Sequence, residues 1–368
     1  RGSSKRGGIG DDDEALEALM GLAELRGDHE GLAALYVEVA EAARDTAAKR
    51  EILKRRAALL GNELGRPGDA VDALAAVARE HGKDHAETWA ELELMASAQG
   101  RHELAAEAME RQVELAPDED EERRAAIAAR LVELVEREVK EPGAIIHALE
   151  VQHRADPGDL GVIQRLADLC EHEGRYKDAV HYLEQLLEIE GDDEEISKLS
   201  QRIAHLSDSR LDDAQRAWDV LVAPVKTGDV ACIEMMLDLA NRHGMHAAVV
   251  PILSELAGRV SDRGGRSMLW REVARRKEEH LGDPEGAFEA WVTAAVAKAD
   301  PAVDLERIDR LAEVAKRPQR VADAYKAALD ACTDPTLAHE VAMRGITAIE
   351  RGGGRAQAFE FALAGLAK

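Results

Sequence analysis

The stretch that decides the fold runs from Ala86 to Glu119 and reads AETWAELELMASAQGRHELAAEAMERQVELAPDE. Its apolar residues recur at three- and four-residue spacing, which is the period of an amphipathic helix. A glycine interrupts the pattern near its middle, and a proline, through which a helix does not continue smoothly, closes it. The stretch therefore predicts two antiparallel helices joined by a tight turn. The residues that carry this prediction are Trp89, Leu92, Gly100, Ala105, Met109 and Pro117.

A second copy of the same pattern begins at Leu160 and reads LGVIQRLADLCEHEGRYKDAVHYLEQLLEIEGDD. Small residues allow two antiparallel helices to approach closely, and glycine permits the turn between them. The positions that match the first copy are Leu166, Ala167, Gly174, Tyr176 and Ala179. The sequence thus repeats one helical hairpin.

The repeat continues along most of the chain when the small residue of each second helix is aligned. The spacing between successive starts is 34 to 39 residues, and the turn segments carry the Asp, Pro or Gly suited to a helix cap or first turn. The predicted starts are Asp12, Glu51, Ala86, Ala125, Leu160, Glu195, Val230, Met268, Leu305 and His339.

These hairpins resemble the tetratricopeptide repeat, a 34-residue helix-turn-helix unit. The family typically has an aromatic residue at position 4, Leu at 7, small residues at 8 and 20, and Pro at 32. Counted from Ala86, four of these positions match, and Glu93 departs at position 8. The resemblance implies an all-α fold, a right-handed superhelical solenoid of about ten antiparallel helical hairpins. The matching residues are Trp89, Leu92, Ala105 and Pro117.

Two parts of the chain differ in organisation. Residues 1–11 are basic and rich in Gly and Ser, which is typical of a tail or linker. Residues 12–368 form one predicted repeat array, with no composition shift that would divide it. The match to the repeat is poorest between 191 and 227, where we expect a possible bend.

Composition excludes several classes of function. The net charge of -25 argues against a nucleic-acid or anionic-membrane partner, and no apolar run is long enough to cross a bilayer. The odd cysteines Cys170, Cys232 and Cys332 lie far apart in helical patterns and predict no disulfide framework. We expect a reducing compartment, the cytoplasm by default, although a chain that starts at Arg1 leaves a removed leader open.

No catalytic or cofactor motif stands out from the sequence. His81 and His85 lie four residues apart, but Gly82 interrupts the helix between them. Cys170 and His172 point to different helix faces because they are two residues apart. We therefore predict a protein that is not an enzyme and that holds neither metal nor cofactor.

The resemblance also implies a concave groove lined by positions 5, 9 and 12 of the first helices. These positions are mostly acidic here, and the Lys/Asn/Arg clamp that the family's chaperone-binding members use for a carboxylate tail is missing. We predict a scaffold that recruits partner proteins or basic peptide segments; the alternative is a merely solvated acidic face. The predicted groove residues named for this role are Glu133, Glu136, Gln164, Asp168, Glu171, Glu234, Asp238, Asn241, Glu272, Arg276 and Glu279.

A second hypothesis concerns the ends of the array. The tail carries Arg1, Lys5 and Arg6, which could contact the acidic surface of a neighbouring copy. The last hairpin carries Phe359 and Phe361 without a charged capping helix, whereas solenoid ends need a polar cap. The alternative function is therefore a structural protein that assembles head to tail into filaments or stacked arrays, a homo-oligomer.

Overall fold

In the computed structural model, the described residues are 19–117, 119–297, 304–332 and 334–366. Over these ranges the regular structure is helical, without a strand, as the sequence predicts. The chain divides into two compact units, Arg1–Tyr182 and Leu183–Lys368, and the boundary falls inside one helix. The predicted tail, residues 1–11, lies outside the described residues.

The first unit is a succession of antiparallel helices in which consecutive helices pack against each other. A π-helical segment, Val135–Val139, continues α7. The helices are α1 (residues 19–26), α2 (His29–Ala42), α3 (Thr46–Asn62), α4 (Pro67–His81), α5 (Ala86–Ala98), α6 (His102–Leu115), α7 (Glu121–Leu134), α8 (Pro142–Ala155), α9 (Leu160–His172) and α10 (Tyr176–Ile189), which crosses the boundary.

The second unit repeats this arrangement. Helices two apart in the chain also touch, for example α11 with α13 and α16 with α18, as expected where each hairpin stacks on the next. The helices are α11 (Asp193–Leu211), α12 (Ala214–Thr227), α13 (Val230–His243), α14 (His246–Arg259), α15 (Arg263–Glu279), α16 (Pro284–Ala297), α17 (Asp304–Ala315), α18 (Pro318–Ala331), α19 (Pro335–Arg351) and α20 (Arg355–Leu366).

The turns and helix contacts follow from the two sequence copies. Gly100 and Gly174 both have a positive φ, 67° and 75°, which only glycine adopts without strain. Ala105 and Ala179, at the small position of the second helix, are fully buried. Close packing of the hairpin therefore depends on the residues that the sequence singles out.

Three first helices, α5, α9 and α13, begin at the predicted residues Ala86, Leu160 and Val230. Some other first helices begin earlier than predicted, and α3 is an example with a clear cap. The Asp45 carboxylate accepts from the N–H groups of Ala47 and Ala48, so α3 begins five residues before the predicted Glu51. The segment from 191 to 227 folds as the helices α11 and α12, which pack against each other; the bend there stays a prediction.

Glu93, which departs from the repeat pattern at position 8, is 4% exposed. The Gln112 amide of α6 donates to its Oε2 at 2.7 Å, and the Arg130 guanidinium of α7 pairs with its Oε1. A buried carboxylate is tolerated when donors replace its lost water. The departure is thus compensated by two residues from the next two helices.

Candidate partner-binding surface

The predicted groove residues lie on first helices in both units, so each unit is described by itself. In the first unit, Glu133 lies in the last turn of α7 and Glu136 lies in the π-helical segment, while the other three lie on α9. The predicted tail residues Arg1, Lys5 and Arg6 lie outside the described residues.

Two predicted carboxylates of the first unit meet at one cavity. It has a volume of about 360 Å³ between the end of α7, α8 and α9. Glu136 and Asp168 lie at its rim, and the exposed Asp168 accepts a hydrogen bond from Gln164 at 2.9 Å. The remaining lining residues are the apolar Ile145, Leu149 and Leu169, here called the floor, and the polar Arg165 and His172.

Arginines of the same unit neutralise part of this acidic rim. At the rim, Arg165 forms an ion pair with Glu136. Glu133, which does not line the cavity, lies 3.6 Å from Arg137. Glu171 is half-buried. The cavity therefore keeps one net negative charge from its two carboxylates and Arg165, apart from any charge on His172.

In the second unit, Glu234, Asp238 and Asn241 are exposed along α13. Arg242 bridges Asp238, at 2.9 Å, to Asp208 of α11, and His243 lies 2.7 Å from the same Asp208 carboxylate. Burial alone would raise the pKa of Asp208, but the hydrogen bonds from Arg242 and His243 hold it below its usual value. Within the described residues, no ion pair involves Glu234.

Arg276 does not lie where a groove residue is expected, because it is only 2% exposed. Its guanidinium pairs with Glu272 and donates to Asn241 Oδ1 at 3.3 Å, while Nε has no partner among the described residues. Burial lowers the pKa of Arg276. Glu279 is exposed and lies 3.1 Å from Arg307.

A one-residue shift of register explains the burial of Arg276. The predicted repeats are aligned at the small residue of each second helix. The connection between α15 and α16 has four residues, whereas those after α5 and α9 have three, so positions counted back into α15 are displaced by one. Val273 and Ala274, both fully buried, then occupy positions 7 and 8. One residue turns a helix by about 100°. In the shifted register, positions 5, 9 and 12 are Arg271, Arg275 and Glu278.

Sequence reasoning missed the ion pairs that link one hairpin to the next. Each pair joins a carboxylate and a cation on successive first helices, and the chain separation of most pairs is close to one repeat length. That spacing of opposite charges is the signal that could have found them. Examples are Lys54–Glu91, Glu93–Arg130, Glu136–Arg165, Asp208–Arg242, Glu279–Arg307 and Asp309–Arg344.

Two kinds of feature are absent from the described residues. No described helix is long and apolar enough to cross a membrane. No group of three or more His, Cys, Asp or Glu side chains among those residues is arranged to hold a metal ion.

Residues 139–203 match the family model described as tetratricopeptide repeat. The chain is similar to solved structures at low identity: the P58(IPK) TPR domain at 14%, with 96% of this chain and 97% of that chain covered and a TM-score of 0.25, and yeast Tom70 at 12%, with 98% and 90% covered and a TM-score of 0.23. A structure of Naa15/Naa10 bound to HypK-THB matches at 14%, with 95% and 62% covered and a TM-score of 0.30. No curated protein matches the sequence.

Proposed function

We propose, on the premise that this chain is a tetratricopeptide-repeat protein, that it is a non-enzymatic scaffold. Its first helices bind partner proteins through the basic side chains of the partner. The observation that carries the proposal is the cavity at the end of α7, which is lined by the carboxylates of Glu136 and Asp168 and by the apolar residues of its floor. The family match over residues 139–203 begins beside this cavity and includes α9.

The shape and chemistry of the cavity suit a lysine or arginine side chain. The apolar stem of such a side chain packs on Ile145 and Leu149, while its charged head stays at the solvated carboxylate rim. A carboxylate and a guanidinium form strong charge-assisted hydrogen bonds. Glu136 and Asp168, the two carboxylates at the rim, are the acceptors in this proposal.

The charge of the whole protein supports the same partner. A net charge of -25 attracts a basic protein at long range and speeds its encounter. This attraction is screened by salt. Binding is therefore expected to weaken as ionic strength rises.

The double variant Glu136→Lys with Asp168→Lys tests the site. We expect it to weaken binding of a labelled arginine/leucine/glycine peptide by about tenfold or more, because two exposed acceptors become repulsive. The double variant Glu188→Lys with Glu360→Lys is the matched control, since it makes the same charge change at exposed residues of second helices. Fluorescence anisotropy measures both. Equal weakening by the two variants would show a general charge effect and reject the site.

A second candidate function, head-to-tail self-assembly, is favoured by exposed apolar residues in the first and last described helices. Leu25 of α1 is 86% exposed and Phe359 of α20 is 67% exposed. Exposed apolar faces at solenoid ends favour association. Light scattering of Leu25→Ser and Phe359→Ser tests it: the unsubstituted chain should form larger species than either variant. A monomeric unsubstituted chain rejects this candidate.

A further inference from the structure

The π-helical segment at the end of α7 lies against both neighbouring second helices, α6 and α8. The N–H of Lys140 donates to the carbonyl of Val135 at 2.8 Å, which closes the wider turn. Lys140 itself has a φ of 60°, a left-handed conformation that is uncommon for a residue other than glycine. Such π-helical turns are rare and are frequent at functional sites.

Two neighbouring cavities flank this segment on the side of α6. One, of about 440 Å³, is lined at the α5–α6 turn by Arg101, His102 and Glu103, and by Glu138 and Val139 of the segment, together with Gly100 and Leu104. The other, of about 210 Å³, continues along α6 to α8 and is mostly apolar. The two cavities adjoin at the shared lining residues Glu103 and Val139, and together they are here named the π-turn groove.

The floor of the π-turn groove is small and apolar. Leu131 and Val135 are buried beneath it, and Ala106, Val139 and Ala144 are half-buried in its walls. Because Ala106, Val139 and Ala144 are small, the groove can accept the apolar side chains of an incoming helix, whose backbone can then approach α6 and α8 closely.

The rim of the π-turn groove is acidic along α6. Glu103, Glu107 and Glu110 follow one another at four- and three-residue spacing, so they share one helix face. Glu107 pairs with Arg79 and Glu110 lies 2.9 Å from His147 Nε2. No described residue forms an ion pair with the exposed Glu103.

The end of the groove at the α5–α6 turn also contains groups with spare hydrogen-bonding capacity. His102 Nε2 lies 3.7 Å from Glu138, and its Nδ1 is buried without a partner among the described residues. Glu138 accepts a hydrogen bond from Arg137 at 2.7 Å, and this bond is the main reason that its pKa is lowered. Arg101 pairs with Asp72.

We propose that the π-turn groove is a second docking site, on the second helices, for an amphipathic helical segment of a partner protein that carries basic residues on one face and small apolar residues on the other. The basic residues pair with Glu103 and its neighbours on α6, and the apolar face enters the groove over Val135 and Val139. The site is separate from the cavity that Asp168 lines.

A helical peptide with arginine on one face and alanine and leucine on the other is the probe, with a glutamate-for-arginine counterpart. Glu103→Lys should weaken its binding to the full chain by about tenfold through charge reversal. Ala144→Trp should weaken it by a similar factor by filling the groove. Glu188→Lys makes the same charge change at an exposed residue of the second helix α10; it is the matched control and should leave this binding within about twofold. Anisotropy titrations measure affinity, and circular dichroism checks that each variant is folded.

Four outcomes would overturn the proposal: no binding of the arginine peptide, equal binding of the glutamate peptide, unchanged affinity in Glu103→Lys, or loss of affinity in Glu188→Lys equal to that in Glu103→Lys. If Ala144→Trp does not fold, the result for Glu103→Lys decides alone, because Glu103 is exposed and its replacement leaves the core intact. Failure here leaves the proposal for the Asp168 cavity standing, since its test uses other variants.

Discussion

Glu93 in the first unit and Arg276 in the second are both charged side chains buried on a first helix, but their partners differ. Glu93 is held by the Gln112 amide and the Arg130 guanidinium, each from a following helix. Arg276 pairs with Glu272 of its own helix, donates to Asn241 at 3.3 Å and leaves Nε without a described partner. Glu93 therefore connects three helices, whereas the ion pair of Arg276 remains within α15.

The difference teaches what a buried charge contributes to a stacked array. A charge whose donors come from other helices ties the hairpins together, and removing it leaves those donors unpaired. A buried charge that is paired within its own helix also costs desolvation free energy, but its ion pair does not connect one hairpin to the next. We expect substitutions at the two positions to have different effects on stability.

The largest effect is expected for Glu93→Ala. It removes the shared acceptor of Gln112 and Arg130 and leaves a cavity, so the free energy of unfolding should fall by about 2–4 kcal/mol. Glu91→Ala in the same helix is the control. Glu91 is 47% exposed and pairs with Lys54, so its loss should cost less than about 1 kcal/mol. Urea unfolding followed by circular dichroism measures both, and equal costs would contradict the role given to Glu93.

A smaller effect is expected for Arg276→Met. Methionine fills a similar volume without a buried charge, and Glu272 keeps Arg275 as a partner at 3.0 Å. The free energy of unfolding should change by less than about 1 kcal/mol in either direction. Arg276→Ala should cost more, because it leaves a cavity. A greater loss for Met than for Ala in the same urea experiment would show that the charge itself is required.

The smallest effect is a pH dependence beside Arg276. His246 stacks on His280 with ring centroids 3.7 Å apart, and burial, then the nearby His280 and Arg276, lower the pKa of His246 below 6.5. Because the unfolded chain binds the proton more readily than the folded chain, protonation of His246 destabilises the fold. The stability that neutral His246 contributes is full above pH 6.5 and is lost as pH falls towards the folded pKa.

His246→Gln should reduce this pH dependence. Between pH 7 and pH 5 its melting temperature should fall less than that of the unsubstituted chain, by about 1–2 °C. Differential scanning calorimetry at the two pH values measures the difference. Asp208, whose pKa is also lowered, titrates below 3.8 and so lies outside this window. A steeper fall in the variant would show that the sign given to His246 is wrong.

Much of the fold could be predicted from the two clear repeat copies. Trp89, Leu92 and Ala105 are buried where the pattern places them, and Gly100 has the positive φ that the turn needs. Exact helix starts were harder to predict where an aspartate cap lengthened a first helix, as at α3. The π-helical segment after α7 had no signal in the pattern, because it depends on backbone hydrogen bonding at the end of one helix.

The candidate site was predicted less completely. The cavity brings Glu136 and Asp168 together, but their charges cannot be judged without Arg165, which lies on the next first helix. The placement of Arg276 was missed because a single extra residue before α16 turned α15 relative to the alignment. The function of these residues stays a proposal that the charge-reversal variants test.

The sequence by itself determined an all-α chain of repeated hairpins, because helix period, turn glycines and small contact residues are local properties of about 35 residues. Only the tertiary structure decided which carboxylates are neutralised, which charge is buried and where the cavities open. These features arise where one hairpin packs against the next. At such a contact, a shift of the helix register by one residue changes the partner of every side chain on the helix face.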